Sequence, residues 1–341
     1  MMTSIVKDGY RKRRLRWISV TASLLCLTLF LATLALLLGN TFYTPDVVLR
    51  VLSGEQIKGA TFAIATLRLP RMLAGLLVGV AFGIAGSTFQ TMLRNPLASP
   101  DIIGVTAGSS VAAVFCILIL KISGTLVSIT AVFTGLAVAV TIYWLSKGAH
   151  FSGGRLILIG IGVQAMIKSV ISFLMLRASQ YDIPSAMRWL SGSLNGIRLS
   201  QIPSLSIVVL IFGTAILLLG RQLEILELGE QSATTLGLNT NKIRLCLILC
   251  AVILIAFATS TTGPVAFVSF LAGPIASRLV GRGTSNQLPS GLVGATLVLG
   301  GDLIGQFALN TAFPVGIITG ILGAPYLLYL LIRMNRSGGA A

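Results

Sequence analysis

A chain of 341 residues that is 55% hydrophobic, only 10% charged and +16 in formal net charge is not built like a soluble domain, in which roughly 25% of residues are charged. Its mean hydropathy of +0.94 places it in a bilayer, with room for about ten spans of roughly 20 residues. The basic residues sit in short segments between apolar runs, which excludes nucleic acid as a partner and fits cytoplasmic loops instead.

Residues 1–16 carry Lys7, Arg11, Lys12, Arg13, Arg14 and Arg16, a basic cytoplasmic head. The apolar run from Trp17 to Gly39 is too long for a signal peptide, and no small-residue cleavage site follows it. It reads as a first span with its amino terminus held in the cytoplasm. Residues 40–66, with Pro45, Asp46 and Glu55, read as an external loop with a helical piece. Further spans are expected near 69–90, 101–120, 124–146, 156–177, 203–220, 243–261, 264–281, 288–310 and 314–332. Together they predict an all-α polytopic membrane protein of about ten transmembrane helices, both termini cytoplasmic, in one domain covering residues 1–341. Glycine and proline mark the spans at 101–120 and 264–281 as the two open to a break.

The assigned cytoplasmic loops carry Arg94, Lys147, His150, Arg155, Arg221, Lys242, Arg244, Arg278, Arg282, Arg333 and Arg336. External loops hold Lys121, Arg177, Arg188 and Arg198, so the charge bias is real without being clean. In the second span Gly75, Gly79, Gly83 and Gly86 fall near one helix face, where another backbone can approach. A tight turn with Arg94, Asn95 and Pro96 follows, and after Pro100 and Asp101 the chain becomes apolar again. The sequence contains no phosphate-binding loop, no catalytic constellation and no set of cofactor or metal ligands. It predicts a protein that is not an enzyme on its own, with His150 a solvated loop residue. Cys26, Cys116, Cys246 and Cys250 all lie in apolar runs and read as buried small hydrophobes.

Two segments carry candidate function. Residues 222–240 lie between one membrane exit and the next entry. They put Glu224, Glu227 and Glu230 into an otherwise basic region, with Leu223, Leu226, Leu228 and Leu236 expected in the open and Gly229 and Gly237 expected to end short helices. Exposed leucines beside ordered charges suggest a surface made for a partner. The other segment is a polar stripe, Gly160, Gln164, Lys168 and Ser172, at four-residue spacing on one face of the fifth span. Lys168 falls near mid-membrane, where a lysine costs about 2.5–3.5 kcal/mol and marks a transport path more readily than a snorkelling side chain. Asp302 reads as structural, capping a broken helix or pairing with a buried base.

The order RLPR from Arg68, then the glycine-laddered helix, then Q-x-x-x-R-N-P-L-A-x-P-D-x-x-G-V-x-x-G resembles the permease subunits of iron-siderophore and cobalamin ABC importers. The resemblance recurs at Leu156–Gly162, Trp189–Gly196, Leu223–Gly237 and Gly263–Gly323, spanning nearly the whole chain. It implies a bacterial cytoplasmic membrane protein that works beside a second permease, identical or paralogous. It also implies an ATPase subunit on one side and an extracytoplasmic substrate-binding protein on the other, with transport by alternating access. In that family the segment L-x-L-G-E-x-A-x-x-L-G-L couples to the ATPase, which would give that role to Leu223 through Gly237. Arginines of the RLPR motif receive acidic residues of the binding protein in the cobalamin relatives, which would give docking to Arg68 and Arg71. The chain departs from the family at Gly273 and Pro274, where many members have Pro-His, and at Gln306, where cobalamin relatives often have arginine. The segment RASQYDIPSAMRWLSGSLNG looks more like ferric-siderophore permeases. The implied cargo is therefore a ferric siderophore, with cobalamin or haem as the alternative. An ion-driven secondary transporter would want paired intramembrane carboxylates, and Asp302 stands almost alone. A non-transporting scaffold would need neither segment.

Overall fold

In the absence of water every backbone polar group inside a bilayer must be satisfied by the protein, and helices do this within one segment. The computed structural model describes residues 2–147, 153–281 and 285–338, and among them it contains helices and no strands. His150 and Arg282 lie outside the described residues.

The first helix, α1 (Met2–Leu37), includes the basic head as well as the first span. Two short elements follow, α2 (Pro45–Leu52) and the wide turn that opens α3 (Phe62–Met92). Next come α4 (Val105–Leu120), α5 (Thr125–Ser146) and α6 (Gly153–Arg177), then a short amphipathic α7 (Ile183–Leu190). The remainder runs as α8 (Leu199–Leu218), α9 (Gly220–Glu227), α10 (Glu230–Thr235), α11 (Thr240–Thr262), α12 (Val268–Val280), α13 (Gln287–Phe307) and α14 (Val315–Gly338). Seven of these helices are long and apolar enough to cross a membrane, and three shorter apolar ones accompany them. These ten segments coincide with the ten expected spans, with ends shifted by a few residues. The helix α7 lies in a stretch expected to be loop.

The glycine ladder sets the centre. Every residue of α3 from Ala81 to Gln90 is buried, and the helix packs against α11, α12 and α13. A methyl group on Gly83 would collide with the Ser290 carbonyl of α13, and one on Gly86 with the Ser269 carbonyl of α12. These contacts are backbone to backbone, the kind that holds helices together where lipid removes the hydrophobic drive.

Both spans marked for a break begin with one. Before α4 the chain makes a turn at Pro100–Ile103 and passes through Gly104 at φ +73°. Before α12 it runs non-helically from Gly263, and Phe267 sits at φ +64°. Inside α12, Pro274 has no N–H to give the Phe270 carbonyl one turn back. Gln90 of α3 supplies the missing donor, its Nε2 lying 3.1 Å from Phe270 O and 3.2 Å from Ser269 O.

Two arginines close helix ends in the same manner. The last carbonyls of a helix lack partners and attract cations. Arg16 donates to Leu279 O at 2.9 Å and Arg278 O at 3.1 Å, at the end of α12. Arg68 donates to Leu36 O and Leu37 O, both at 2.9 Å, at the end of α1, and to Thr41 O at 2.6 Å. The cysteines depart from expectation: Cys116 and Cys250 are buried, but Cys26 and Cys246 are exposed on the outer faces of α1 and α11. A thiol behaves as a small apolar group and needs no burial on a face that meets lipid.

Candidate functional site

Polar groups gather at the α9–α10 surface, in a cavity beside α6, and at the rim where α1 ends and α3 begins. At the first, Gly229 (φ +108°) ends α9 and Gly237 (φ +81°) ends α10, as glycines in conformations that side chains disfavour. Leu223 and Leu226 were expected in the open. They are buried instead, because their three-residue spacing turns one face of α9 into the bundle. What remains outside is Leu228 and Leu236, each 63% exposed, together with Glu224 and Glu227.

The position of this surface is held from behind. Gly229 is buried, and the Arg94 guanidinium lies 3.2 Å from where a Cβ on it would sit. Arg94, in the tight turn after α3, is itself at φ +50°. Glu230 faces Arg244 of α11 at 3.5 Å. Glu224 is pushed above the usual carboxylate range by partial burial and by Glu227, against the opposing effect of Arg221. A cation placed there by a partner would favour the charged form.

The cavity beside α6 has a volume of about 520 Å³ and lies between α4, α6, the end of α7 and the non-helical stretch at Pro264–Ala266. Gln164, Lys168 and Ser172 line it together, as their spacing on one helix face requires. Gly160 does not line it. That glycine is buried, pressed against the Ile102 carbonyl so closely that a Cβ would collide. Gln164 Nε2 donates to Asp101 O at 2.9 Å, tying α6 to the same turn. Lys168 is exposed, with no carboxylate within ion-pair distance among the described residues. Of the 25 residues of α6 only Leu156, Gly160 and Leu174 are buried, so this span presents most of its surface to something outside the chain.

Opposite Lys168, sequence reasoning missed Asp101, Thr106 and Ser110. Asp101 accepts from Thr106 Oγ1 at 2.9 Å and from Ser99 Oγ at 3.1 Å, so its carboxylate is fixed by its own turn. Hydroxyls four apart at Thr106 and Ser110 were the available signal, because they share a face of α4.

At the rim, both motif arginines have partners inside the chain. Arg68 caps α1 and stacks on Tyr43, its guanidinium carbon 4.9 Å from the ring centre. Arg71 forms a two-pronged pair with Asp302, Nε to Oδ2 and Nη2 to Oδ1 both at 2.8 Å. Gln306 adds a bond from Nε2 to Asp302 Oδ2 at 2.7 Å. Asp302 thus pairs with a partly buried base, as its structural reading expected. These five side chains, Tyr43 included, border a cleft of about 290 Å³.

Comparison with known proteins points one way. Residues 27–333 match the FecCD transport family. The chain is 35% identical over 291 residues to the ferric enterobactin transport system permease protein FepG of Escherichia coli strain K12, covering 85% of this chain and 88% of that one. It is 35% identical over 335 residues to the achromobactin transport system permease protein CbrC of Dickeya dadantii strain 3937, covering 96% of each. Among solved structures it superposes on an inward-facing metal-chelate type ABC transporter with a TM-score of 0.82 and 25% identity, covering 92% of this chain and 99% of that one.

Proposed function

Because this chain belongs to the FecCD transport family, we propose that it is the membrane permease of an ABC importer that translocates a ferric siderophore. The observation that carries this reading is the cavity beside α6, a polar chamber in which Lys168 stands across from Asp101, Thr106 and Ser110. The relatives named for ferric enterobactin and achromobactin transport support the choice of cargo.

In this account the chain does no covalent chemistry. The surface of α9 and α10, with Glu224, Glu227, Leu228 and Leu236, receives an ATPase subunit, and Gly229, Glu230 and Gly237 shape it. Leu223 and Leu226 anchor it to the bundle. The largely unburied α6 faces a second permease copy, identical or paralogous, and the path between them. Gln164, Lys168 and Ser172 line that path. The rim carrying Arg68 and Arg71 faces the extracytoplasmic binding protein, whose carboxylates would have to share Arg71 with Asp302. Uptake of a panel of ferric chelates and of cobalamin by cells with and without the chain tests the cargo: loss of siderophore uptake supports it, and loss of cobalamin uptake alone refutes it.

Two expected outcomes follow from this arrangement. Lys168→Met removes a positive charge from the path and should slow uptake of an anionic ferric chelate about tenfold, the equivalent of one contact of ~1.4 kcal/mol. The variant should accumulate in the membrane at least as well as the parent, since a costly charge is gone. Unchanged uptake in radio-iron assays would make the lysine a passenger. The basic residues gathered at the α1 start and around α9–α11 support the reading that both termini are cytoplasmic. Reporter fusions active only in the cytoplasm should work at either end, and an external signal from one end would overturn the orientation.

A further inference from the structure

At the end of the bundle that carries α7, two clefts open side by side. One, of about 510 Å³, is polar and includes Lys121, Asp182, Arg188 and Trp189 in its lining. The other, of about 400 Å³, runs down between α5, α8 and α11, with Ile129, Val132, Phe133 and Phe257 in its wall. They share Ser128, Gln201, Ser260 and Thr261, so one molecule can occupy both.

The charge of the polar cleft is unbalanced. Lys121 and Asp182 form an ion pair and cancel. Arg188 is exposed and, among the described residues, has neither a hydrogen bond nor an ion pair. Gln201 uses its side-chain carbonyl to accept from the Arg198 N–H at 3.1 Å, leaving its amide donors uncommitted. The hydroxyls of Thr125 and Ser200 also line the groove and have no hydrogen-bond partner among the described residues. One cation and several idle donors lie above an apolar slot. That is the complement of a phosphate with ester oxygens beneath it and a hydrocarbon tail below.

The flanking surfaces say what the slot faces. The outward residues of α5 include Leu126, Phe133, Val140 and Trp144, and those of α8 include Leu210 and Leu218, all exposed and all apolar. The open face of α6 also exposes Leu158, Met166 and Leu176 but carries the charge of Lys168, whereas α5 and α8 hold no charged residue. A water-filled path or a polar partner fits α6, and acyl chains fit α5 and α8.

We infer that this paired cleft is a specific site for one phospholipid whose headgroup is net anionic, with its phosphate on Arg188 and one acyl chain between α5, α8 and α11. Lipid bound there touches α7 through Arg188 and Trp189, so it would brace the short helix that also borders the α6 cavity at Leu190.

The test is native mass spectrometry of the full chain purified in detergent and titrated with phosphatidylglycerol or phosphatidylethanolamine. The parent should retain one phosphatidylglycerol in preference to phosphatidylethanolamine. Arg188→Gln, an exposed change, should lower phosphatidylglycerol retention about fivefold, the effect expected of one basic residue on an anionic lipid. Ser204→Trp, which fills the groove, should abolish retention of both lipids. Inorganic phosphate should not displace the lipid, because the tail supplies much of the contact. Parent-level phosphatidylglycerol retention in Arg188→Gln would overturn the inference, as would displacement by phosphate alone. So would efficient disulfide pairing of two copies through Phe133→Cys, which would mark the groove as a chain-to-chain interface.

Discussion

Replacing Leu228 and Leu236 together by glutamate is expected to abolish uptake while leaving the chain folded and inserted. Both side chains are 63% exposed on the α9–α10 surface, so the bundle does not depend on them. In the proposed complex each would be buried against the ATPase, and burying a leucine contributes about 1.5–3 kcal/mol. Losing two such contacts should weaken the subunit interface by more than about a hundredfold, at roughly 1.4 kcal/mol per factor of ten. The introduced charges also add to Glu224 and Glu227 on the same surface. ATP hydrolysis by the isolated ATPase should continue unchanged, so transport and hydrolysis separate. Leu226→Glu is the informative contrast. Its side chain is buried in the main core, and the variant should fail to accumulate. Co-purification of the ATPase with each variant distinguishes the cases, and normal uptake by the exposed double variant would remove α9 and α10 from the interface.

Asp302→Ala should be the most destabilising single change at the rim. The carboxylate is nearly buried and takes three hydrogen bonds, two from Arg71 and one from Gln306. Deleting it leaves a partly buried guanidinium without its counter-charge, which costs about 3–5 kcal/mol for fully buried pairs. Because Arg71 keeps some contact with its surroundings, about 3 kcal/mol is the expected loss. Removing both partners with Arg71→Met and Asp302→Leu should restore most of it, since the apolar pair strands no charge. Heating in detergent followed by size-exclusion chromatography reads the surviving fraction. If the double variant is no more stable than Asp302→Ala, the pair is not the source of the cost. The same variants bear on binding-protein docking. If Arg71 receives a partner's carboxylate, the double variant should be stable yet slow to associate, with the parent's rate falling as salt screens the charges.

The span pattern was legible because apolar length and glycine spacing are local properties, and α3 packs by the glycines that announced it. The stripe on α6 was legible for the same reason: four-residue spacing alone brings Gln164, Lys168 and Ser172 to one cavity. What the sequence hid was mostly pairing across long separations. Arg71 and Asp302 are 231 residues apart, and Gln90 serves a carbonyl 180 residues away. Nothing in the chain near Pro274 says which side chain answers for its missing donor. The roles of Arg68 and Arg16 as helix caps were invisible for the same reason. In α9 the error was one of geometry: leucines at 223 and 226 looked exposed in a linear segment, but a single helical turn puts both on the buried face. The helix α7 was missed because eight residues holding a proline, a serine and an arginine carry too little apolar length to stand out.

The most direct measurement places the purified chain in proteoliposomes with its ATPase and binding protein and follows radio-iron. The account predicts accumulation of a ferric siderophore that requires ATP and binding protein together, and that collapses in the Leu228 and Leu236 double glutamate variant. Accumulation driven instead by an imposed proton or sodium gradient, without ATP, would contradict it.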